Sequence, residues 1–190
     1  MNHSRPTHTQ ALFETPAPVP RTLYFSDDGA TPNSDYPVLV YRARASAGLD
    51  LASALEALIA INGWLAQWRG GVFAFHHYHA RAHECLAVFA GRATLKLGGD
   101  HGHMVDVAPG DVLMLPAGTG HCRVTASHDF ALIGAYPPDQ QDWDLCRSDR
   151  AADYREARAR IRAVSAPAQD PVRGSDIPPE AGGFYARSSA

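Results

Sequence analysis

Four histidines and a glutamate fall within the sequence FHHYHARAHE, at residues 75–84 of a 190-residue chain. The residues around this stretch are mostly alanine, valine, leucine and aromatic residues, which is typical of a buried strand. A histidine that faces a protein core needs hydrogen-bond partners or a metal ion. In a strand, the spacing of His77 and His79 places both imidazoles on the same face. These two side chains therefore form half of a candidate metal site.

Two further side chains complete a candidate ligand set. Glu84 follows His79 after a short turn-like ARA sequence, so it can return on a facing strand and add a carboxylate oxygen. His121, in the later sequence PAGTGHC, is the fourth candidate. Three imidazoles and one carboxylate favour a divalent transition metal over Ca²⁺, which prefers oxygen ligands alone. These ligand types do not distinguish among Fe, Mn, Ni, Co and Zn.

Hydrophobic periodicity predicts the elements that must hold these residues in place. Between residues 71 and 136, short β candidates alternate with turn sequences such as GGDHG, APGD and PAGTG. This rhythm is typical of an all-β sandwich or closed barrel. The other predicted elements are two strands and two amphipathic helices, at residues 21–25, 37–45, 50–62 and about 149–164.

We expect one domain with extensions at both ends. Residues 1–20 are predicted to form an N-terminal arm, and residues 21–137 a β-barrel that includes the helix at 50–62. Residues 138–190 are predicted to form a C-terminal helix and an extended tail that wraps the body. In the helix at 50–62, Asp50 is the expected N-cap and Asn62 the expected stop.

The chain resembles the cupin superfamily through two spaced motifs. The first motif is a glycine, five residues, His-x-His, three or four residues, Glu, six residues and Gly. The second is a glycine, five residues, Pro-x-Gly, two residues, His, three residues and Asn. The matching residues are Gly71, His77, His79, Glu84 and Gly91, then Gly110, Pro116, Gly118 and His121. Thr125 replaces the final Asn, a position that is not a metal ligand in the family.

This resemblance implies a cupin-type antiparallel β-sandwich or jelly-roll barrel with a few flanking α-helices. It also implies that His77, His79, Glu84 and His121 hold a divalent metal. More loosely, the chain is similar to small bacterial single-domain cupins of uncharacterised activity. The resemblance therefore implies a fold and a metal site but no substrate.

Strand alternation predicts which neighbours of the ligand set line a pocket. Phe73 and Phe75 share the face of His77, and Arg123 shares the face of His121, so these three are the candidate substrate-binding residues. An inward-facing Arg123 is expected to meet either a carboxylate or phosphate of the ligand, or an Asp or Glu at the barrel mouth.

Other polar and aromatic residues near the motifs are assigned less direct roles. His76 points away from His77, and His83 points away from Glu84, so both are predicted to support the ligands from behind or to lie at the surface. His101 and His103 are expected to be solvated. The large aromatic residues Trp64, Trp68 and Tyr136 are interpreted as core or helix-packing residues.

The composition limits the expected partners and compartment. The chain has 17 basic and 20 acidic residues, a net charge of −3 and no basic cluster that would favour nucleic acid or an anionic membrane. It has no run of 18 apolar residues, so we expect a soluble, cytoplasmic protein. The three cysteines are widely spaced, which predicts free buried thiols rather than a disulfide framework. Exposed sheet edges, and outer positions that include Val72, Ala74 and Phe89, predict a homodimer.

Two classes of function remain open. The first is a metal-dependent enzyme that oxygenates, isomerises or decarboxylates a small polar acid or sugar derivative at an open metal position. The second is a non-catalytic module that binds or senses a small molecule. A metal-free epimerase is disfavoured because all four candidate ligands are present. No catalytic residue is assigned, and the sequence patterns of hydrolase nucleophiles and nucleotide-binding loops do not occur.

Overall fold

The structure is a computed structural model that describes residues 18–42 and 49–176. Within them, the chain forms eleven strands and two helices. The strands are β1 Arg21–Leu23, β2 Val38–Tyr41, β3 Leu65–Gly70, β4 His77–Tyr78, β5 Glu84–Ala90, β6 Ala93–Leu97, β7 His103–Val107, β8 Val112–Leu115, β9 His121–Ala126, β10 Ala131–Tyr136 and β11 Cys146–Arg147. The helices are α1 Leu51–Ile61 and α2 Ala151–Ala163. Residues 1–17 of the predicted arm and 43–45 of the predicted second strand lie outside the described residues.

Two antiparallel sheets form a β-sandwich, as the sequence predicted. The six-stranded sheet has the order β1-β2-β8-β5-β10-β3, and the five-stranded sheet has the order β11-β4-β9-β6-β7. Every strand pair in the described part of the chain is antiparallel. The inner faces of both sheets meet in one apolar cluster, to which β5 contributes Leu86 and Val88 and β6 contributes Leu95 and Leu97.

The central strands of the six-stranded sheet, β2, β8, β5 and β10, are buried on both faces. Cys85 and Ala87 of β5 point away from the inner cluster and pack with Leu55 and Ile59 of α1. Because both faces of β5 are buried, its sequence after Glu84 is a continuous run of apolar residues. The outer face of the five-stranded sheet instead carries Thr94, Lys96 and Asp106, and its strands alternate between apolar and polar residues.

Both helices are close to their predicted bounds. Asp50 is the N-cap of α1, where its side chain accepts a hydrogen bond from the Ser53 backbone N–H, and Asn62 is the C-cap. The second helix, α2, buries Ala157 against Tyr78 and Cys146. It therefore packs beside β4 and β11, next to the residues of the candidate metal site.

The segment after α2 packs against the body of the protein, and we call residues 167–176 the C-terminal strap. The buried Asp170 carboxylate accepts a hydrogen bond of 2.7 Å from the Tyr41 hydroxyl. The Asn62 amide donates to the Pro171 carbonyl, and the Trp64 indole donates to the Gln169 carbonyl. The strap thus provides hydrogen-bond partners for three buried polar groups of the body of the protein, which these bonds satisfy.

The segment before β4 differs from its prediction as a strand. Residues 71–76 have no regular secondary structure, and β4 contains only His77 and Tyr78. Val72, predicted on the outer surface, is 6% exposed and packs in the inner cluster. Phe89 is half-buried beneath the Arg69 guanidinium, whereas Ala74 is exposed as expected.

Two further expectations can be compared with the structure. Cys85, Cys122 and Cys146 are free and buried, as predicted. Among the described residues, neither helix has the length and apolar character required to span a bilayer.

Candidate metal centre

The three histidines of the candidate site converge from neighbouring strands of the five-stranded sheet. His77 of β4 lies directly opposite His121 of β9, and their ring centroids are 4.1 Å apart. His79 follows β4 and returns to the same side, because the intervening Tyr78 points into the cluster beneath α2. One ligand atom from each histidine lies within 4.8 Å of those of the other two. The predicted His-x-His pair and His121 are therefore brought together.

Glu84 reaches the histidines from the opposite sheet. It begins β5 of the six-stranded sheet, and its carboxylate lies between two of the imidazoles. Oε1 is 3.3 Å from His79 Nε2, and Oε2 is 3.2 Å from His121 Nε2. The Glu84 side chain is only 3% exposed, so water does little to stabilise its charge. The centre thus contains three imidazoles and one buried carboxylate, supplied by both sheets.

Hydrogen bonds fix which nitrogen of each histidine faces the centre. Nδ1 of His77 lies 3.2 Å from the Phe75 carbonyl, and Nδ1 of His121 lies 3.1 Å from the Thr119 carbonyl. Nδ1 of His79 makes the same type of contact with the Asp144 carbonyl. A carbonyl can only accept, so each Nδ1 carries the hydrogen and donates it. In the neutral rings, each of the three Nε2 atoms consequently carries a lone pair. A lone pair on a ring nitrogen is what binds a metal ion.

This donor set fits a divalent cation. Without one, the neutral Nε2 lone pairs of His79 and His121 face negatively charged oxygens, an arrangement that only a proton or a metal ion makes favourable. Oε2 of Glu84 is buried and has no hydrogen-bond partner in the described structure. A cation among the four side chains would satisfy that oxygen and the lone pairs together.

The pKa shifts of these side chains also indicate that a positive charge is favourable at this position. Burial, followed by the charge of His121, lowers the pKa of His77 to about 2. Burial opposes ionisation of Glu84, but the adjacent His79 and His121 hold the pKa of its carboxyl well below the usual value. Burial also opposes protonation of His79, yet the Glu84 carboxylate raises the net pKa of its imidazole. A proton on His79 therefore occupies the place that a metal ion would take.

Tyr136 orients the Glu84 carboxylate, a role that the sequence interpretation missed. Its hydroxyl donates to Glu84 Oε1 at 2.7 Å and accepts from Trp68 Nε1 at 3.2 Å. Trp143 stacks on the Tyr136 ring with centroids 5.4 Å apart. Tyr136 and Trp68 are thus part of the site rather than packing residues alone, whereas Trp64 is a core residue as predicted.

An apolar cavity of about 290 Å³ adjoins the four candidate ligands. Its other walls are aromatic and aliphatic, namely Trp68, Gly71, Val72, Phe73, Leu86, Tyr136, Trp143 and Leu145. Phe73 and Leu145 are 51% and 41% exposed, whereas the ligands are nearly inaccessible. The ligands therefore lie at the closed end, and the cavity opens near Phe73 and Leu145.

The predicted substrate-binding residues have different positions. Phe73 lines the cavity. Phe75 does not line it; its ring stacks on Phe73 and contacts the edge of His77. Arg123 also lies outside the cavity walls, and its guanidinium Nε donates to the Val72 carbonyl at 3.1 Å. Residues 71–76 thus form a loop whose carbonyl binds the Arg123 guanidinium, and a role of Arg123 in anion binding stays a prediction.

His76 and His83, predicted to support the ligands or to lie at the surface, are placed away from the centre. His76 is within 3.4 Å of the Cys122 sulfur and 3.7 Å of an Asp100 carboxylate oxygen. The His83 ring accepts from the Ala117 backbone N–H at 2.8 Å, and burial lowers its pKa to about 4. His83 thus holds the loop that leads to His121.

Comparison with known proteins agrees with this fold and this site. Residues 66–132 match a family model described as Cupin domain. The chain is 36% identical over 160 residues to the uncharacterized protein YjlB of Bacillus subtilis, a match that covers 83% of this chain and 93% of YjlB. The chain therefore belongs to the cupin family, as a small bacterial cupin related to YjlB.

Solved structures resemble the chain more distantly. A pumpkin seed globulin is 22% identical, with a TM-score of 0.34, over 40% of this chain and 22% of the globulin. The DMSP lyase DddQ from Ruegeria pomeroyi is 18% identical, with a TM-score of 0.31, over 57% of this chain and 41% of the lyase. The chain spans less than half the length of these proteins, and likenesses at this level carry no inference about its function.

Proposed function

We propose that this cupin is a metal-dependent enzyme that acts on a small molecule bound through an oxygen atom. One observation carries the proposal: three imidazole Nε2 atoms and the Glu84 carboxylate converge at the closed end of a cavity that opens to solvent. The approach from the cavity side is free of described protein ligands, so a coordination position remains for water or substrate. The proposed ligands are His77, His79, Glu84 and His121.

The side chains around this centre have separate roles in the proposed enzyme. When bound, a divalent ion of the Fe, Mn, Ni, Co or Zn type supplies Lewis acidity toward a carbonyl, enol or carboxylate oxygen. Tyr136 holds Glu84 in orientation, and the aromatic walls exclude water and position the rest of the substrate. Oxygenation, isomerisation or decarboxylation of a small acid agrees best with such a site.

A non-catalytic binding module remains the alternative. Apart from the four proposed ligands, Tyr136 is the one cavity-lining residue in the described structure whose side chain ionises. Its pKa is raised above the ordinary value by burial and by Glu84, so it remains a neutral hydroxyl. The cavity therefore lacks an evident general base besides Glu84. Turnover of small acids by metal-loaded protein, followed by mass spectrometry, distinguishes the enzyme from a module that binds the same acids unchanged.

The ligand assignment is tested by metal content. We expect His77→Ala and His121→Ala to lose stoichiometric metal in elemental analysis of protein purified without a metal-binding tag. His101→Ala serves as the matched control, because His101 is exposed and belongs to neither of the two motifs. The assignment is refuted if the His101 variant loses metal as fully as the other two variants.

We also propose a cytoplasmic homodimer whose partner is a small-molecule substrate rather than nucleic acid or membrane. The edge of the six-stranded sheet supports the dimer, since β3 is an edge strand among the described residues and its Leu65 is 44% exposed. Unpaired edges of this kind commonly form contacts between subunits.

A further inference from the structure

We propose that the cavity selects a compact ligand with an apolar, preferably aromatic body, one oxygen donor group for the metal and no second charge. This inference rests on the proposed function, because the metal supplies the partner for the oxygen group. It narrows the expected small polar acids and sugar derivatives to monoacids, or neutral enols and phenols, that carry a ring.

The cavity walls present carbon rather than hydrogen-bonding atoms. Phe73 and Leu145 have no polar side-chain atom, and the indole N–H groups of both tryptophans already donate hydrogen bonds within the protein. The Trp68 indole N–H donates to Tyr136, and the Trp143 indole N–H donates to Gln67 Oε1 at 2.7 Å. A sugar would bury several hydroxyl groups here without partners, and each such group costs about 1–3 kcal/mol. An aromatic ring would instead gain contacts with the two tryptophans and Tyr136.

No counter-ion in the described cavity walls could receive a second negative charge. The walls contain neither lysine nor arginine. The nearby Arg123 guanidinium donates to the Val72 carbonyl, and Arg147 pairs with Asp149 while lying 4.2 Å from the Phe75 ring centroid. A dicarboxylate or a phosphate ester would therefore place its second charge in an apolar environment, which is strongly unfavourable.

The size of the cavity limits the body of the ligand. Small-molecule sites generally range from about 300 to 1,000 Å³, and this cavity is about 290 Å³. A single ring with one small polar substituent is appropriate to that volume. Tyr136 and Trp143 are stacked on each other, so a ligand ring would contact a ring face that is turned away from this pair or a ring edge.

Ligand titration of the full-length, Co²⁺-loaded protein tests this inference. The visible Co²⁺ spectrum reports direct binding of azide, acetate, benzoate, phthalate and gluconate. We expect benzoate to bind at least about tenfold more tightly than acetate, since burial of a ring contributes roughly that much. Phthalate, with its second charge, and gluconate, with its hydroxyl groups, should both bind more weakly than benzoate.

Two variants connect the preference to the cavity walls. Trp143→Ala should reduce the advantage of benzoate over acetate while azide still changes the spectrum. Leu145→Lys introduces a cation at the mouth and should raise the affinity for phthalate. Tyr24→Ala, which removes an exposed ring outside the cavity, should leave all affinities unchanged.

The outcomes separate this inference from the proposed function. If azide and acetate change the spectrum but benzoate has no advantage, the open metal site stands and the apolar selectivity is wrong. If no anion changes the spectrum across a saturating titration, the open site fails and the inference fails with it. A preference for gluconate or phthalate over benzoate would also overturn the inference.

Discussion

The two oxygens of Glu84 have different environments. Oε1 accepts a hydrogen bond from the Tyr136 hydroxyl, whereas Oε2 has no hydrogen-bond donor among the described residues and faces His121. A carboxylate held in this way is expected to bind a metal through Oε2 alone. Because Tyr136 holds Oε1, Glu84 would then present one oxygen to the ion rather than two.

Replacement of Tyr136 tests this orientation. In Tyr136→Phe, Oε1 loses its partner and Glu84 is free to rotate or to present both oxygens. We expect the metal affinity to fall by about tenfold or more, the usual effect of removing a group that orients a ligand. Azide binding to the Co²⁺ form should also weaken. Competition against a chelator measures the first quantity, and the visible spectrum measures the second.

Tyr154→Phe is the matched control, because the Tyr154 hydroxyl also contacts a carboxylate, that of Asp27, but does so at the surface. This variant should behave like the wild-type protein. Equal metal and azide affinities in Tyr136→Phe and Tyr154→Phe would show that Tyr136 does not orient Glu84.

The positions of the proposed ligands could be predicted because metal binding requires particular residue types at particular spacings. The walls of the cavity could not be predicted in this way. Trp68, Tyr136 and Trp143 come from β3, β10 and the loop after β10, and only tertiary packing brings them together. Aromatic residues are also frequent in ordinary cores, so their type gave no signal of a site.

Among the secondary-structure elements, the C-terminal strap makes an unexpected contribution to stability. Its Asp170, Pro171 and Gln169 bind buried polar groups of Tyr41 in β2, of the α1 cap Asn62 and of Trp64. Val172 adds a 3%-exposed side chain to the cluster beneath α1. The sequence predicted an extended tail here, since prolines and polar residues offer no period, but it did not indicate which groups the tail contacts.

Truncation tests the contribution of the strap. A chain that ends at residue 166 leaves the Tyr41 hydroxyl and the Trp64 indole without these partners, and each buried unpaired group costs about 1–3 kcal/mol. We expect the Tm to fall by at least about 5 °C, as measured by calorimetry. A chain that ends at residue 176 retains the strap and should melt close to the full-length protein. Similar melting temperatures for the two truncated chains would contradict this stabilising role.

The two strands that were given bounds, at 21–25 and 37–45, overlap β1 and β2, whereas residues 71–76 were wrongly interpreted as part of a strand. Those residues have the apolar composition of a strand, but their backbone forms a loop. One of its carbonyls, that of Phe73, accepts a hydrogen bond of 2.8 Å from the Arg123 backbone N–H. Composition alone could not distinguish this loop from a strand, because both bury apolar side chains.

For the whole molecule, we expect a dimer. In the part of the chain that the structure describes, β3 is an edge strand that exposes Leu65, Ala66 and Gln67, and an exposed edge favours association. Light scattering should give twice the mass of one chain, and Leu65→Lys should shift the protein toward the monomer. Lys96→Ala, on the outer face of the other sheet, provides a comparison that should remain dimeric. A monomeric wild-type protein at micromolar concentration would refute the proposal.

The two sheets contribute unequally to the metal centre, since Glu84 belongs to one and the three histidines are attached to the other. An ion held by all four side chains would cross-link the two sheets of the sandwich. The layers could separate at that end only after the ion had lost either the carboxylate or the imidazoles. Release of the ion and separation of the sheets at that end would then share one rate-limiting event. A metal that exchanges slowly would also mean that this end of the sandwich opens slowly.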